Sequence, residues 1–324
     1  MKKLLKTLAA LMVLVLASVL LAWRWYLHPD TMDPPRLAGQ MESGSLEHDG
    51  LVRTWRAYIP AMREGPPPLV LVLHGSGGDG QRMLHGTRYG FNILAEQYGF
   101  IPVYPDGFEQ HWNDCRAGAD YSANARNVDD VGFLQALVRE MRIRHGIDPS
   151  RVYAAGMSNG GQMAYRMGLE APVSVAGIAA IAANLPVQDN MDCAPSGEPV
   201  ATLIINGTED PVNPYGGGVV EIVGNTSRGQ VLSAGKTARY WAEIAGYTGE
   251  GVRRVWPGKA ADDGTSVEST EWSAAGRPSV ALITVVGGGH TIPHTAYRLP
   301  RILGRTSHEF DAATVIWDFF SGGK

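Results

Sequence analysis

Ser158 sits in the run Arg151-Val-Tyr-Ala-Ala-Gly156-Met157-Ser158-Asn159-Gly160-Gly161. The pattern is Gly-x-Ser-x-Gly, with a short apolar stretch before it and a helix-like stretch after it. These residue types suit a nucleophile raised on a sharp turn. Glycine at 156 and 160 removes side chains that would clash where a strand and a helix pack closely. It also lets Ser158 take a strained backbone. In a chain with 40 glycines the five-residue pattern alone is weak. A glycine-rich turn with an idle serine would read the same way, so further chemistry has to come from elsewhere in the chain.

A serine hydroxyl is a poor nucleophile near neutral pH. It needs a base to take its proton and a third group to hold that base. His290 is the best-placed base, because it follows the apolar run Val280–Val286 and three glycines. Asp210 is the best orienter, in a turn closed by Pro211 after the apolar run 200–205. Glu209 is the rival acid. An oxyanion site needs two backbone N–H groups aimed at the developing charge. Asn159, directly after the serine, offers one. The loop His74-Gly75-Ser76-Gly77-Gly78 follows the apolar run Leu69–Leu73 and offers the other, with Ser76 first and Gly75 second. His74 itself is read as a tie for that loop. A phosphate loop would also be glycine-rich, but Gly-Lys-Ser/Thr is missing.

These groups must be positioned by a scaffold. Strand-like runs at 69–73, 100–104, 152–155, 173–183, 200–205 and 280–286 alternate with helix-like runs at 90–98, 127–145, 234–245 and 311–320. The run 51–60 reads as a half-exposed antiparallel edge strand, and 252–256 with 268–272 as a strand pair. Such alternation implies an α/β fold: a mostly parallel central sheet with helices on both faces. Chemistry then belongs at the carboxyl ends of the strands. No long insertion separates 173–183 from 200–205, so no large lid domain is expected and the cleft should be open. Trp112, Tyr121, Tyr215 and Ile292 are the candidates to line it.

Net charge is −4 and pI about 6.1, with no basic run beyond Lys2, Lys3 and Lys6, so nothing asks for nucleic acid. Those lysines precede an apolar run at 8–23, the order of an export signal. Ala17, Ser18 and Ala22 are the only small residues suited to a cleavage site. Trp23 and Trp25 would instead mark the outer end of an uncleaved anchor. The expected organisation is an export signal or membrane anchor at 1–26, a tether at 27–46 and a single catalytic domain at 47–324. The protein would be extracellular or periplasmic, touching a membrane only through an uncleaved N-terminal segment. Outside the cytoplasm the pair Cys115 and Cys193 suggests one disulfide, with two free buried thiols as the alternative. Their spacing does not resemble a metal site, and no metal or organic cofactor is called for.

Several segments together carry a resemblance. They are Leu73-His-Gly-Ser-Gly-Gly78, Tyr104-Pro-Asp-Gly107, Trp112-Asn113, Val128-Asp-Asp-Val-Gly-Phe133, the elbow 151–161, Asn206-Gly-Thr-Glu-Asp-Pro211 with Tyr215, and Gly287-Gly-Gly-His290. In this order the chain resembles the secreted polyhydroxybutyrate depolymerase-like esterases, relatives of the feruloyl and acetylxylan esterases, within the α/β-hydrolase superfamily. The resemblance implies Ser158 as nucleophile, Asp210 as acid and His290 as base, as the residues themselves suggest. It also implies a carboxylic ester substrate, polymeric or bulky. Two departures lie near the substrate. The family's His-x-Trp-Pro-Gly is here His290-Thr-Ile292-Pro293-His294, and its cysteine-rich stretch after Trp-Asn is reduced to Asp114-Cys115. The expected function is an exported serine ester hydrolase acting on a polyhydroxyalkanoate-type polyester or oligomer. The alternatives are a feruloyl or acetylxylan esterase, a serine peptidase of the same fold, and a non-catalytic membrane-tethered binding protein.

Overall fold

The central strands are built from residues that are apolar on both sides. In Leu69–Leu73, hereafter β3, every residue is buried; Leu69, Leu71 and Leu73 face one layer while Val70 and Val72 face the other. A strand buried on both faces needs no alternation with polar residues, and its neighbours can run parallel to it. The computed structural model describes residues 2–31, 33–258 and 263–322. Its strands in chain order are β1 (Gln40–His48), β2 (Leu51–Ile59), β3, β4 (Ile101–Pro105), β5 (Val152–Met157), β6 (Gly177–Ile181), β7 (Ala201–Gly207), the short β8 (Gly218–Val219) and β9 (Gln230–Val231), β10 (Val252–Val255), β11 (Ser266–Trp272) and β12 (Val280–Val286). Its helices are α1 (Lys2–Leu27), α2 (Gly80–Gly86), α3 (Gly90–Tyr98), α4 (Ser122–Ala125), α5 (Asp130–His145), α6 (Asn159–Glu170), α7 (Ala234–Ile244) and α8 (Ala312–Ser321).

The main sheet has the order β1-β2-β4-β3-β5-β6-β7-β12-β11-β10. Strands β4, β3, β5, β6, β7 and β12 pair in parallel. Antiparallel β1–β2 closes one end and β11–β10 the other. Helices α5, α6 and α7 bury Phe133, Leu137, Met163, Tyr165, Ala238 and Trp241 against one face. Helices α2, α3 and α8 bury Met83, Phe91, Leu94, Ile316, Trp317 and Phe320 against the other. The expected α/β architecture is therefore the observed one.

Two boundaries differ from the sequence-based expectation. The tether does not run to residue 46, because Gln40–His48 is a full strand paired residue for residue with β2. Its mostly polar residues leave one face half-buried and the other exposed, so they carry little apolar signal. Gly44 makes the pairing close: a Cβ there would lie 2.4 Å from the Trp55 ring. Consequently β2 is the second strand, not the edge. Helix α2 was also not anticipated inside the glycine-rich stretch. Asp79 caps it, its Oδ1 accepting from the Arg82 N–H at 2.8 Å.

The loops over the carboxyl ends are tied by buried polar contacts. His74, 1 % exposed, accepts the Gly107 N–H at Nε2 (2.9 Å), and its Nδ1–H donates to the Gly75 carbonyl (2.8 Å). Both bonds require the neutral imidazole, and burial pushes its pKa below the ordinary 6.5. Asp130 is buried against Arg53 Nη2 (2.6 Å) and accepts the Asn113 N–H (2.7 Å), which fixes the loop before α4. Cys115 is bonded to Cys193, joining that loop to the one before β7 across 78 residues.

Two outcomes follow. Replacing both cysteines by serine should lower unfolding stability by about 2–4 kcal/mol. In urea titrations, added reductant should shift the wild-type midpoint and leave that of the double variant where it is. For His74 the folded pKa is the lower one, so the unfolded chain binds a proton first as pH falls. Its contribution is intact above about 6.5 and is lost as pH drops from there toward the folded value. His74→Asn should therefore show a smaller fall in urea midpoint than wild type between about pH 7.5 and pH 5; an equal fall would count against this tautomer.

Candidate active site

Ser158 has φ 55° and ψ −119°, a conformation that costs a residue with a side chain about 1–3 kcal/mol. Close packing on either side holds it there. A Cβ on Gly156 would lie 2.2 Å from the Gly160 carbonyl oxygen, and one on Gly160 would lie 2.3 Å from that of Leu73. Only glycine fits at both. The Ser158 N–H donates to the Ile181 carbonyl of β6 at 2.8 Å, and its carbonyl accepts the Gln162 N–H of α6 at 2.9 Å. The turn therefore joins strand to helix with the serine side chain at its tip.

Asp210 lies after β7 and His290 after β12, and these two strands are parallel neighbours. Their loops pack tightly: a Cβ on Gly207 would lie 2.2 Å from the Gly288 carbonyl oxygen. Asp210 Oδ2 meets His290 Nδ1 at 2.8 Å, with the aspartate side chain 1 % exposed. Its other oxygen accepts the Val212 and Asn213 N–H groups, each at 2.8 Å. Those two bonds hold the carboxylate in one orientation. Nδ1 is thereby committed to Asp210, and Nε2 is the nitrogen left for the cleft. The rival acid, Glu209, instead pairs with Arg305 on the surface at 2.6 Å.

Gly75 and Ser76 lie against the elbow. A Cβ on Gly75 would contact Ser158 Cβ at 3.4 Å. Among the described residues the backbone N–H groups of Ser76 and Asn159 have no acceptor in the protein. Both candidate donors are therefore free. The side chain of Ser76 is not: its hydroxyl donates to Tyr121 Oη at 2.9 Å.

Ser158 and His290 both line a cleft of about 560 Å³. Its apolar walls come from Met83, Met157, Val212, Ile292, Leu299 and Leu303. Ile292, proposed from sequence to line the cleft, does so. The three other candidates do not, and of these Tyr121 borders a small neighbouring hole that Ser158 also lines. Trp112 is fully buried beneath the site, its Nε1–H donating to the His74 carbonyl at 2.9 Å, and it supports the loop rather than facing the cleft. Tyr215 packs on the core with its hydroxyl on Thr284 Oγ1 at 2.7 Å. The wall at 299–303 was missed, although Leu299-Pro300 within a loop was a visible apolar signal. A larger space, about 740 Å³, lies where the end of α1 meets Arg298, and none of the candidate residues borders it. Among the described residues, no cluster of three or more His, Cys, Asp or Glu side chains is placed to hold a metal.

Comparison with known proteins gives a consistent picture. The family described as "Esterase PHB depolymerase" matches residues 55–194. The chain is 32% identical to the protein named "Putative esterase NocK" of Nocardia uniformis subsp. tsuyamanensis over 288 residues, 85% of this chain and 80% of that protein. It is 29% identical to feruloyl esterase B of Piromyces equi, over 69% of this chain and 39% of the relative. It is 35% identical to a poly(3-hydroxybutyrate) depolymerase of Ralstonia pickettii, over 38% of this chain and 27% of the relative. These last two matches span well under half of the relatives' own length. Among solved structures, the acetyl xylan esterase from Aspergillus awamori superposes with a TM-score of 0.53 at 19% identity, over 78% of this chain and 95% of that one, and so shares the fold. With its elbow, its strand order and a relative matched over most of both lengths, this chain belongs to the PHB depolymerase-type esterase family and is a carboxylic ester hydrolase.

Proposed function

We propose that the protein is an exported serine esterase working by acyl transfer through Ser158, His290 and Asp210. The observation that carries this is the 2.8 Å His290–Asp210 contact, with the second carboxylate oxygen held by two amides, beside a cleft that Ser158 also lines. In the first step Ser158 Oγ attacks the ester carbonyl while His290 Nε2 takes its proton. Asp210 stabilises the imidazolium that forms. The Asn159 and Ser76 N–H groups receive the oxyanion. His290 then gives the proton to the leaving alcohol; later it draws a proton from the attacking water and returns it to Ser158 Oγ as the acyl–serine bond breaks and the acid leaves.

The cleft favours an aliphatic ester. Its apolar walls are aliphatic, with no Phe, Tyr or Trp among the described residues that line it. A polyhydroxyalkanoate-type polyester or oligomer fits such walls. The second reading, a feruloyl ester, is favoured by similarity to the Piromyces equi feruloyl esterase over 69% of this chain. It lacks an aromatic surface for the ring to stack on. Export is supported by α1, whose 26 residues are long and apolar enough to cross a membrane, with none buried against the protein.

Ser158→Ala should cut hydrolysis of 4-nitrophenyl butyrate by at least about a thousandfold, with an unchanged urea midpoint. A fluorophosphonate probe should label the wild type at Ser158 and leave the variant unlabelled. Full turnover by the variant would overturn the proposal. Faster turnover of methyl ferulate than of hydroxybutyrate oligomers would replace the polyester reading by the feruloyl one.

A further inference from the structure

Ser158 borders two spaces of opposite character. One is the aliphatic cleft. The other is a small, mainly polar hole of about 10 Å³, bordered by Arg116, Tyr121, Gln162, Asn213 and Arg228 together with Ser158, and closed on its remaining side by Ala182, Val212, Val220 and Ile222. That volume suits one water-sized group.

The walls of this hole carry unmet hydrogen-bonding capacity. Gln162 is 1 % exposed and its Oε1 has no partner. Its orientation is set, because Nε2 donates to the Asn184 carbonyl at 2.6 Å. Asn213 is 4 % exposed and its Nδ2 has no partner either. Both residues border the hole, so one brings it an unpaired buried acceptor and the other an unpaired buried donor. Leaving such groups unpaired is costly, so a native structure normally satisfies them.

Charge adds a preference for oxygen. Arg116 is paired with Asp114, whereas Arg228, 8 % exposed, makes no direct ion pair among the described residues and acts on the Asp120 carboxylate only at longer range. Its bonds go to Tyr121 Oη at 2.6 Å and the Asn225 carbonyl at 3.4 Å. A buried guanidinium whose direct bonds go to neutral oxygens favours a lone pair nearby over a methyl group.

We infer that this hole is a specificity subsite for a hydroxyl group carried by the substrate close to the scissile ester. A hydroxyl can give its proton to Gln162 Oε1 and accept from Asn213 Nδ2. A carboxylate can only accept and would leave Gln162 unmet; a methyl group would leave both unmet. The subsite selects hydroxylated esters over their deoxy counterparts. The inference rests on the esterase reading of Ser158.

The hydroxyl can belong to either arm of the ester, and two substrate pairs separate the arms. The acyl pair is 4-nitrophenyl 3-hydroxybutyrate against 4-nitrophenyl butyrate. The alcohol pair is 2-hydroxyethyl butyrate against ethyl butyrate. Wild type should favour the hydroxylated member of one pair by about tenfold or more in kcat/KM. The ratio should fall toward one in Asn213→Ala and in Gln162→Met. Gln162 also ties Asn184, so if Gln162→Met fails to fold, Asn213→Ala decides alone. A wild-type ratio near one for both pairs means the hole holds only water and overturns the inference. So does a preference that survives the folded variants. Absence of turnover on all four esters, or full activity in Ser158→Ala, would instead bring down the esterase reading and this inference with it.

Discussion

The close approach of three backbones at the elbow is the constraint on which the site depends. Strand β5 must enter α6 with no side chain at 156 or 160, since the Gly160 carbonyl already fills one space and the Leu73 carbonyl the other. The turn can then close only with Ser158 at a positive φ. The strain is sustained because the turn is over-determined, by Ile181 on one side and by the first bond of α6 on the other. Two consequences follow from the same geometry. The serine stands above the carboxyl edge of the sheet, and the Asn159 N–H, at the first turn of a helix, is left without an intrahelical acceptor.

Asn159 links this turn to the loops around it. Its Oδ1 accepts the Trp112 N–H at 2.8 Å, while its Nδ2 donates to the Trp112 carbonyl at 3.0 Å and to Asp114 Oδ2 at 2.6 Å. Asp114 in turn holds Arg116 through its guanidinium and its backbone N–H. The bond between Cys115 and Cys193 sits between these two residues. One carboxamide, one ion pair and one covalent link therefore hold the loop 112–116 against the elbow. That is why Trp112 is a foundation of the site and has no exposed surface to give to a substrate.

What was legible in the sequence was what local pattern encodes. Strands buried on both faces read as apolar runs, and glycines at the elbow read as a turn. The marked residues after β3, β5, β7 and β12 stood out because each follows such a run. What was not legible depends on partners far along the chain. Strand β1 is mostly polar, and only pairing with β2 makes it a strand. Tyr215 looked like a cleft residue until the position of Thr284, on β12, gave its hydroxyl a place in the core. Gln162 lay in plain view one turn past Ser158. Nothing local says that it borders a hole, because the orienting contact comes from Asn184 and the opposing wall from Asn213 and Arg228.

An ester has two arms, and the surroundings of Ser158 treat them unequally. On one side the wall is aliphatic, and the family's usual tryptophan is replaced by Ile292, which is itself 5 % exposed and packed with the α2–α3 layer. On the other side charged and polar side chains share the wall with a few aliphatic ones, and the space is too small for more than one heavy atom. The two environments are kept apart by Ser158 and by Val212 and Ile222, which border both. A purely apolar ester would fill only the first and leave buried donors and acceptors idle in the second. A substrate with an apolar body and a single oxygen next to the reacting carbonyl satisfies both at once. Unmet polar groups are costly only when buried, so the discrimination comes from the burial of Gln162 and Asn213 rather than from their chemical type alone.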